Sequence, residues 1–191
     1  MCGRFFVDAK NREIDRLLEQ LGPRAGDIRL GEVFPSNPAL ALAKGARGAA
    51  PRVMIWGFPR WDNKGLIINA RAESALEKPL FRSALLKDRM VAPASGFFEW
   101  ASALAGGKDK YFFSAADSGP LYLAGFGKGF PDSPDPRFVL LTVPANDSVK
   151  FCHARMPLLI PEGDVAAWLD GENLPSFLSR VPQPVAAAKW G

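Results

Sequence analysis

Four short stretches carry side chains whose chemistry the sequence around them does not explain. The chain opens Met1-Cys2-Gly3-Arg4-Phe5. Methionine is generally removed when the second residue is small, which would leave Cys2 with a free α-amine and a thiol on one residue. Their unperturbed pKa values, about 7.7–8.0 and about 8.5, leave both groups partly deprotonated near neutrality. Such an amine condenses with an aldehyde to a Schiff base, the thiol adds to the imine carbon, and a five-membered thiazolidine results. No internal cysteine can do this; the plain alternative is a cysteine that happens to be second. In Val91–Trp100 a carboxylate, Glu99, sits among Phe97, Phe98 and Trp100. Burial there would raise its pKa and suit it to general acid work, whereas on the wet face of a half-buried strand it would do nothing. In Phe151–Pro157 the only histidine, His153, alternates with Arg155 on one face of an extended segment. That pattern reads either as a proton shuttle beside an anion contact or as a loop histidine capping a turn. In Gly65–Glu73, Asn69, Arg71 and Glu73 share a face if the strand continues. If it does not, Arg71 and Glu73 make a surface pair.

The elements that would position these groups are short. Ile14, Leu17, Leu18 and Leu21 predict an amphipathic helix over 11–21, stopped by Gly22-Pro23. Apolar runs at 52–58 and 66–70, separated by a turn-rich insert, predict two strands. Residues 79–87, with Pro79 near the first helical position, predict a helix. Further strands are expected at 89–93, 96–100, 110–115, 120–126, 137–143 and 156–160, with Gly, Pro and Asp clustered between them. Pro161 opens a helix to about Asp170, and 173–180 makes a last short one. This is not the β–α alternation of a doubly wound sheet. The expectation is one α+β, β-rich domain over 1–191. Its strands are short, mostly antiparallel and barrel-like, with a few peripheral helices. The motif-bearing core is 2–160 and a helical segment is 161–191.

Composition narrows the function classes. The 191 residues are 48% hydrophobic and 23% charged, a globular rather than a disordered balance. No apolar run approaches the ~18–20 residues that cross a bilayer, and no secretory leader opens the chain. A cytoplasmic protein is expected, nucleoid-associated if bacterial. Two cysteines and one histidine cannot supply a Cys/His zinc tetrahedron; no motif implies another metal or an organic cofactor, and none is expected. A Cys2–Cys152 disulfide is possible on count, but disfavoured without a secretory signal. The net charge of +4 permits an anionic partner without demanding one, and basic residues outnumber acidic ones from Lys44 to Lys64.

Taken together the stretches resemble the SRAP family, the SOS-response-associated peptidase domain that acts on abasic sites in DNA. The matching pieces are Met1-Cys2-Gly3-Arg4-Phe5, Trp56-Gly57-Phe58, Ile68–Glu73, Lys78–Arg82, Pro93–Trp100 and His153–Pro157, in the family's order. The chain departs from the pattern after Trp56-Gly57, where the segment is short, and at Arg89-Met90, where the family usually has Arg-Cys.

The resemblance implies a role for each residue. Cys2, freed of Met1, would attack the ring-opened aldehyde of an abasic deoxyribose in single-stranded DNA and leave a thiazolidine crosslink. Asn69 would orient the amine or the sugar, Glu99 would serve as acid and base, and His153 would move protons on the sugar oxygens. Gly3, Arg4, Arg71 and Arg155 would lie against the strand, the arginines gripping phosphates with their planar forks. Trp61 would stack on a flanking base, while Trp56 reads as core. Removal of Met1 could be autocatalytic, a lyase activity could accompany the crosslink, and a monomer is the default. Two other readings stand: an N-terminal-nucleophile peptidase or amidohydrolase, and a non-covalent single-strand-binding module.

Overall fold

The computed structural model describes residues 2–62, 64–103 and 106–191. In chain order the elements are β1 (Phe5–Val7), α1 (Arg12–Leu21), β2 (Gly31–Val33), β3 (Pro38–Gly45), β4 (Gly48–Trp56), β5 (Phe58–Pro59), β6 (Leu66–Ile67) and β7 (Asn69–Arg71). Then come α2 (Ala72–Ala75), α3 (Pro79–Lys87), β8 (Arg89–Ala94), β9 (Gly96–Ser102), β10 (Lys108–Ser114), β11 (Leu121–Lys128) and β12 (Arg137–Pro144). The chain ends with α4 (Asp147–Lys150), β13 (Arg155–Pro157), β14 (Leu159–Ile160), α5 (Val165–Asp170), α6 (Leu174–Leu178) and β15 (Ala186–Lys189). The fold is α+β, as the sequence predicts.

The larger sheet closes on itself. Its order β12–β4–β3–β8–β11 returns to β12 because β11 also pairs with β12. It is a ring, not a regular barrel. The seam between β4 and β12 is only two residue pairs long, Arg137 with Ile55 and Phe138 with Trp56. There the chain leaves at Gly57, whose φ of 105° suits glycine, and makes the β5–β6 hairpin. It returns as β7, which takes over the edge of β12 through Leu140–Asn69 and Thr142–Arg71. Trp56 fastens this detour, its ring nitrogen donating to the Ile68 carbonyl at 3.0 Å. It is wholly buried, stacked on Phe138, as the core reading expects. Pairings of β12 with β4 and β7 are parallel; the other pairings of these sheets are antiparallel.

A second sheet, ordered β15–β10–β9–β1–β2, carries the N-terminus. Helix α1 begins where Asn11 caps the Glu13 and Ile14 amides, and it buries Ile14, Leu17 and Leu18. Two expectations need correcting. The single strand at 156–160 is two, because Leu158 turns its amide to Leu141 and its carbonyl to Ala124. The chain thereby passes from β12 to β11. The segment 161–191 is not helical throughout: its end, β15, pairs with β10.

Candidate active site

Cys2 enters just ahead of β1. The Arg4 carbonyl accepts from the Phe98 amide at 2.9 Å, and Phe5 pairs with Phe97, so the N-terminus is fixed against β9. Cys2 is wholly buried, and its thiol points to the Arg4 carbonyl at 3.5 Å. Burial, reinforced by the charge of Glu99, pushes that thiol up to about 12. Asn69, first residue of β7, donates its side-chain amide to the Cys2 carbonyl at 2.8 Å. Its Oδ1 is buried and accepts no hydrogen bond from the described residues.

Glu99 lies on β9, 3% exposed. Burial raises its pKa above the ordinary 4.5, and the charge of His153 opposes that rise. The buried rather than the wet reading of this carboxylate therefore holds. His153 follows α4. Its Nδ1 lies 3.0 Å from the Arg155 amide nitrogen and 3.1 Å from the Arg155 carbonyl oxygen. Nδ1 accepts from the amide when it is unprotonated and donates to the carbonyl when it carries the hydrogen.

The structure thus brings Cys2, Asn69, Glu99 and His153 into one connected group. The arginines fare differently. Arg155 is bidentate to Glu73 at 2.6 and 2.9 Å, and it also donates to the hydroxyl and carbonyl of Thr142. Arg4 donates to Glu32 at 2.9 Å, with its guanidinium 4.2 Å above Phe34 and 5.0 Å from Trp100. Arg71 is exposed. The surface pair expected between Arg71 and Glu73 is replaced by Arg155–Glu73, because the strand stops at Arg71 and α2 turns Glu73 aside. Gly3 is half-buried between Cys2 and Arg4. Trp61, 93% exposed in the turn after β5, joins none of these contacts.

Sequence reasoning missed two residues here, Glu32 and Thr142, and weighed Cys152 only as a disulfide partner. Glu32 bridges Arg4 and Lys110, the latter at 2.6 Å. Burial alone would raise the Glu32 pKa, but Lys110 and Arg4 hold it below its ordinary value. Thr142 is wholly buried and is the polar interruption in the apolar run of β12, a signal that was readable. Cys152 is a free, half-buried thiol pushed up to about 11 by burial and by Glu99. No disulfide joins it to Cys2.

A ring-closed mixed sheet with a buried N-terminal thiol, a desolvated carboxylate and a histidine at one end defines a narrow class of protein. The chain belongs to the SOS response associated peptidase (SRAP) family, whose model matches residues 1–190. It is similar to the abasic site processing protein YoqW of Bacillus subtilis, 28% identical over 98% of this chain and 88% of that one. It is also similar to YedK of Escherichia coli, named an abasic site processing protein, 27% identical over 90% and 81% of the two chains. A relative in Gallus gallus, HMCES, carries the same description and is 32% identical over 64% of this chain and 46% of its own. Among solved structures, a Bacteroides thetaiotaomicron protein superposes with a TM-score of 0.83 at 21% identity, covering 98% of this chain and 91% of its own. A Bordetella bronchiseptica protein does so at 0.78 and 20%, each chain covered in full. These likenesses support the fold.

Proposed function

We propose that this protein processes abasic sites in single-stranded DNA by forming a thiazolidine crosslink through Cys2. The observation that carries the reading is the Cys2 backbone held by Asn69 beside a desolvated carboxylate whose charge reaches both the Cys2 thiol and His153.

The chemistry divides among these groups. With Met1 gone, the Cys2 amine becomes a donor for the unsatisfied Oδ1 of Asn69, which aims its lone pair at the aldehyde carbon. Addition gives a carbinolamine, and Glu99, kept protonated to higher pH by burial, gives a proton to the departing hydroxyl. The C–O bond breaks, water leaves and an imine forms. The thiol, held protonated near neutrality, then adds to the imine carbon. The imine nitrogen still carries a proton from the amine, so as the C–S bond forms the thiol proton passes to the Glu99 carboxylate, the C=N π pair becomes the ring-nitrogen lone pair, and the ring closes with net loss of one water. His153, whose charge reaches Glu99, passes a proton to the sugar ring oxygen as it opens. Arg71, exposed on β7, is the arginine best placed for a backbone phosphate. Arg4 and Arg155 reach phosphates by sharing or releasing Glu32 and Glu73. Trp61 gives an exposed surface for a flanking base. The same acid and base would assist removal of Met1 and lyase cleavage. The protein is proposed to act as a monomer in the cytoplasm.

Intact-mass spectrometry tests this, before and after incubation with a short oligonucleotide bearing one abasic site. A starting mass without Met1 and an adduct weighing the sum less one water are expected, with no adduct from Cys2→Ala. An adduct that survives Cys2→Ala would point to a lysine Schiff base and overturn the thiazolidine. Peptide turnover by the processed protein without any adduct would favour a hydrolase. Equal, reversible binding of intact and abasic strands would favour a passive binder.

A further inference from the structure

The basic stretch that begins at Lys44 lies partly at the wrong end of the molecule for the chemistry above. β8 and β12 both pair antiparallel with β11, so both start at one end of the ring and finish at the other. The candidate active site is where they finish: Arg71 pairs with Thr142, and β9 follows directly on β8. Where they start, the ring opens into a cavity of about 200 Å³. Pro136 borders it, and the rise from Pro136 to Thr142 separates the two ends by about 20 Å.

Five cationic side chains line this cavity, Lys44, Arg52, Lys87, Arg89 and Lys128, against one carboxylate, Asp88. Two of the five are engaged. Lys44 pairs with Asp170 at 2.7 Å. Arg89 is buried and donates to the carbonyls of Leu85 and Leu86 at the end of α3 and of Trp168 in α5, at 2.7, 3.0 and 2.7 Å. It thereby answers the partial negative charge of two helix ends. Gly171, at φ 86°, lets the chain turn tightly against that guanidinium, where any Cβ would strike it. Arg52, Lys87 and Lys128 make no ion pair among the described residues. Arg52 gives one amino group to the Lys44 carbonyl at 3.3 Å and leaves its other donors for a ligand. Lys128 is held 4.8 Å above Phe130 and 5.6 Å from Phe58. With Asp88 the one carboxylate in the lining, these three like charges are incompletely balanced, and a multivalent anion relieves their repulsion. The volume is below the about 300–1,000 Å³ of pockets that enclose drug-sized ligands, so it suits a phosphate group, not an engulfed nucleotide.

We propose that this end of the ring is a phosphate-binding site, framed by Arg52, Lys87 and Lys128 and distinct from the Cys2 site. The phosphate is either a free or terminal phosphate or a backbone phosphate of a strand crossing the far face. The proposal does not depend on the crosslinking chemistry.

Full-length ¹⁵N-labelled protein is titrated separately with inorganic phosphate, pyrophosphate and an unmodified single-stranded oligonucleotide, at constant ionic strength. Shifts of the Lys44, Lys87 to Met90 and Gly127 to Gly129 amides are expected. At least tenfold weaker binding is expected in Arg52→Gln/Lys128→Gln at unchanged melting temperature. Lys87→Glu, on an exposed helix end, gives a second variant with the same expectation. Shifts from phosphate or pyrophosphate alone assign a free phosphate. Shifts from the oligonucleotide, with a salt slope shallower by about 0.7 per lost contact in the variants, assign a strand. Oligonucleotide shifts at the Cys2 end belong to the other site; no shift at the named amides with any of the three probes, or shifts there that the substitutions leave unchanged, overturns the proposal.

Discussion

Glu99 is where stability and chemistry pull against each other. Burial favours its neutral form, so the folded chain keeps a proton that the unfolded chain releases near 4.5. Its contribution is therefore fully present below 4.5 and is lost as pH rises through the raised folded-state pKa. Glu99→Gln is neutral at every pH. The variant is expected to melt higher than the parent at pH 7 and to flatten the fall in melting temperature between pH 4.5 and 7. It should also lose about a hundredfold or more in crosslinking rate, the scale of general acid–base contributions. Parallel melting curves of the two proteins across that range would mean the carboxylate is not destabilised by burial. Asn69→Ala removes one hydrogen bond to the Cys2 carbonyl. About 1 kcal/mol in urea unfolding is expected, with crosslinking slowed about tenfold. A full-rate variant would show that the Cys2 backbone is positioned by β1 alone. At this scale the sequence was legible, because Glu99 among aromatics and a lone His153 are anomalies that residue types reveal. What it hid was pairing: that Arg155 is gripped by Glu73 and Arg4 by Glu32 depends on contacts 82 and 28 residues apart.

At the scale of elements, β9 is the strand that the site depends on. It lies between β1 and β10, and its first residue is glycine because the neighbour comes too close for any side chain. A Cβ at Gly96 would meet the Phe112 ring and the Phe113 carbonyl oxygen. The ring can move, but the carbonyl belongs to β10. Gly96→Ala is therefore expected to cost about 3 kcal/mol, the upper end for overpacking, measured by urea denaturation. A cost below about 1 kcal/mol would show that β9 and β10 slide apart freely. Helices α1 and α3 and strands β8 to β12 follow local signals and lie close to where periodicity puts them. Strands β1, β2 and β3 were not legible: the first two are three residues long, too short for alternation to register, and the buried half of β3, Ala39–Leu42, is continuous and shows no alternation. The β4-to-β7 handover along β12 is likewise a tertiary fact. Nothing local to Asn69 reveals that it continues a seam begun at Trp56.

At the scale of the whole molecule, the ring carries the Cys2 cluster at one end and the cationic cavity at the other, and the second sheet holds Cys2 and Glu99 at the first of these. That sheet is completed by the last residues of the chain, which sequence reading assigned to a helical tail. An alanine-rich run such as Ala186–Ala188 has no strand propensity of its own; it is extended because β10 offers an unpaired edge. Its anchor is Trp190, whose amide donates to the Lys110 carbonyl at 2.8 Å. The indole lies 5.8, 5.3 and 5.1 Å from the rings of Phe6, Phe98 and Phe112. Phe98 precedes Glu99 on β9, and Phe6 is on β1, four residues from Cys2, so the C-terminus packs against both strands next to the candidate site. Trp190 is 41% exposed, which limits what its burial contributes. Trp190→Ala is expected to cost about 2 kcal/mol, from three aromatic contacts at roughly 0.5–1.5 kcal/mol each. Truncation after Val185 should cost more, because it also bares the β10 edge, and should add concentration-dependent association by size-exclusion chromatography. In both, crosslinking at saturating oligonucleotide should slow in proportion to the fraction unfolded at 37 °C and no further if the tail only stabilises. A larger loss would mean that the brace sets the position of Glu99. Unchanged stability on truncation would make β15 an appendage and leave β9 and β10 to hold the site by themselves.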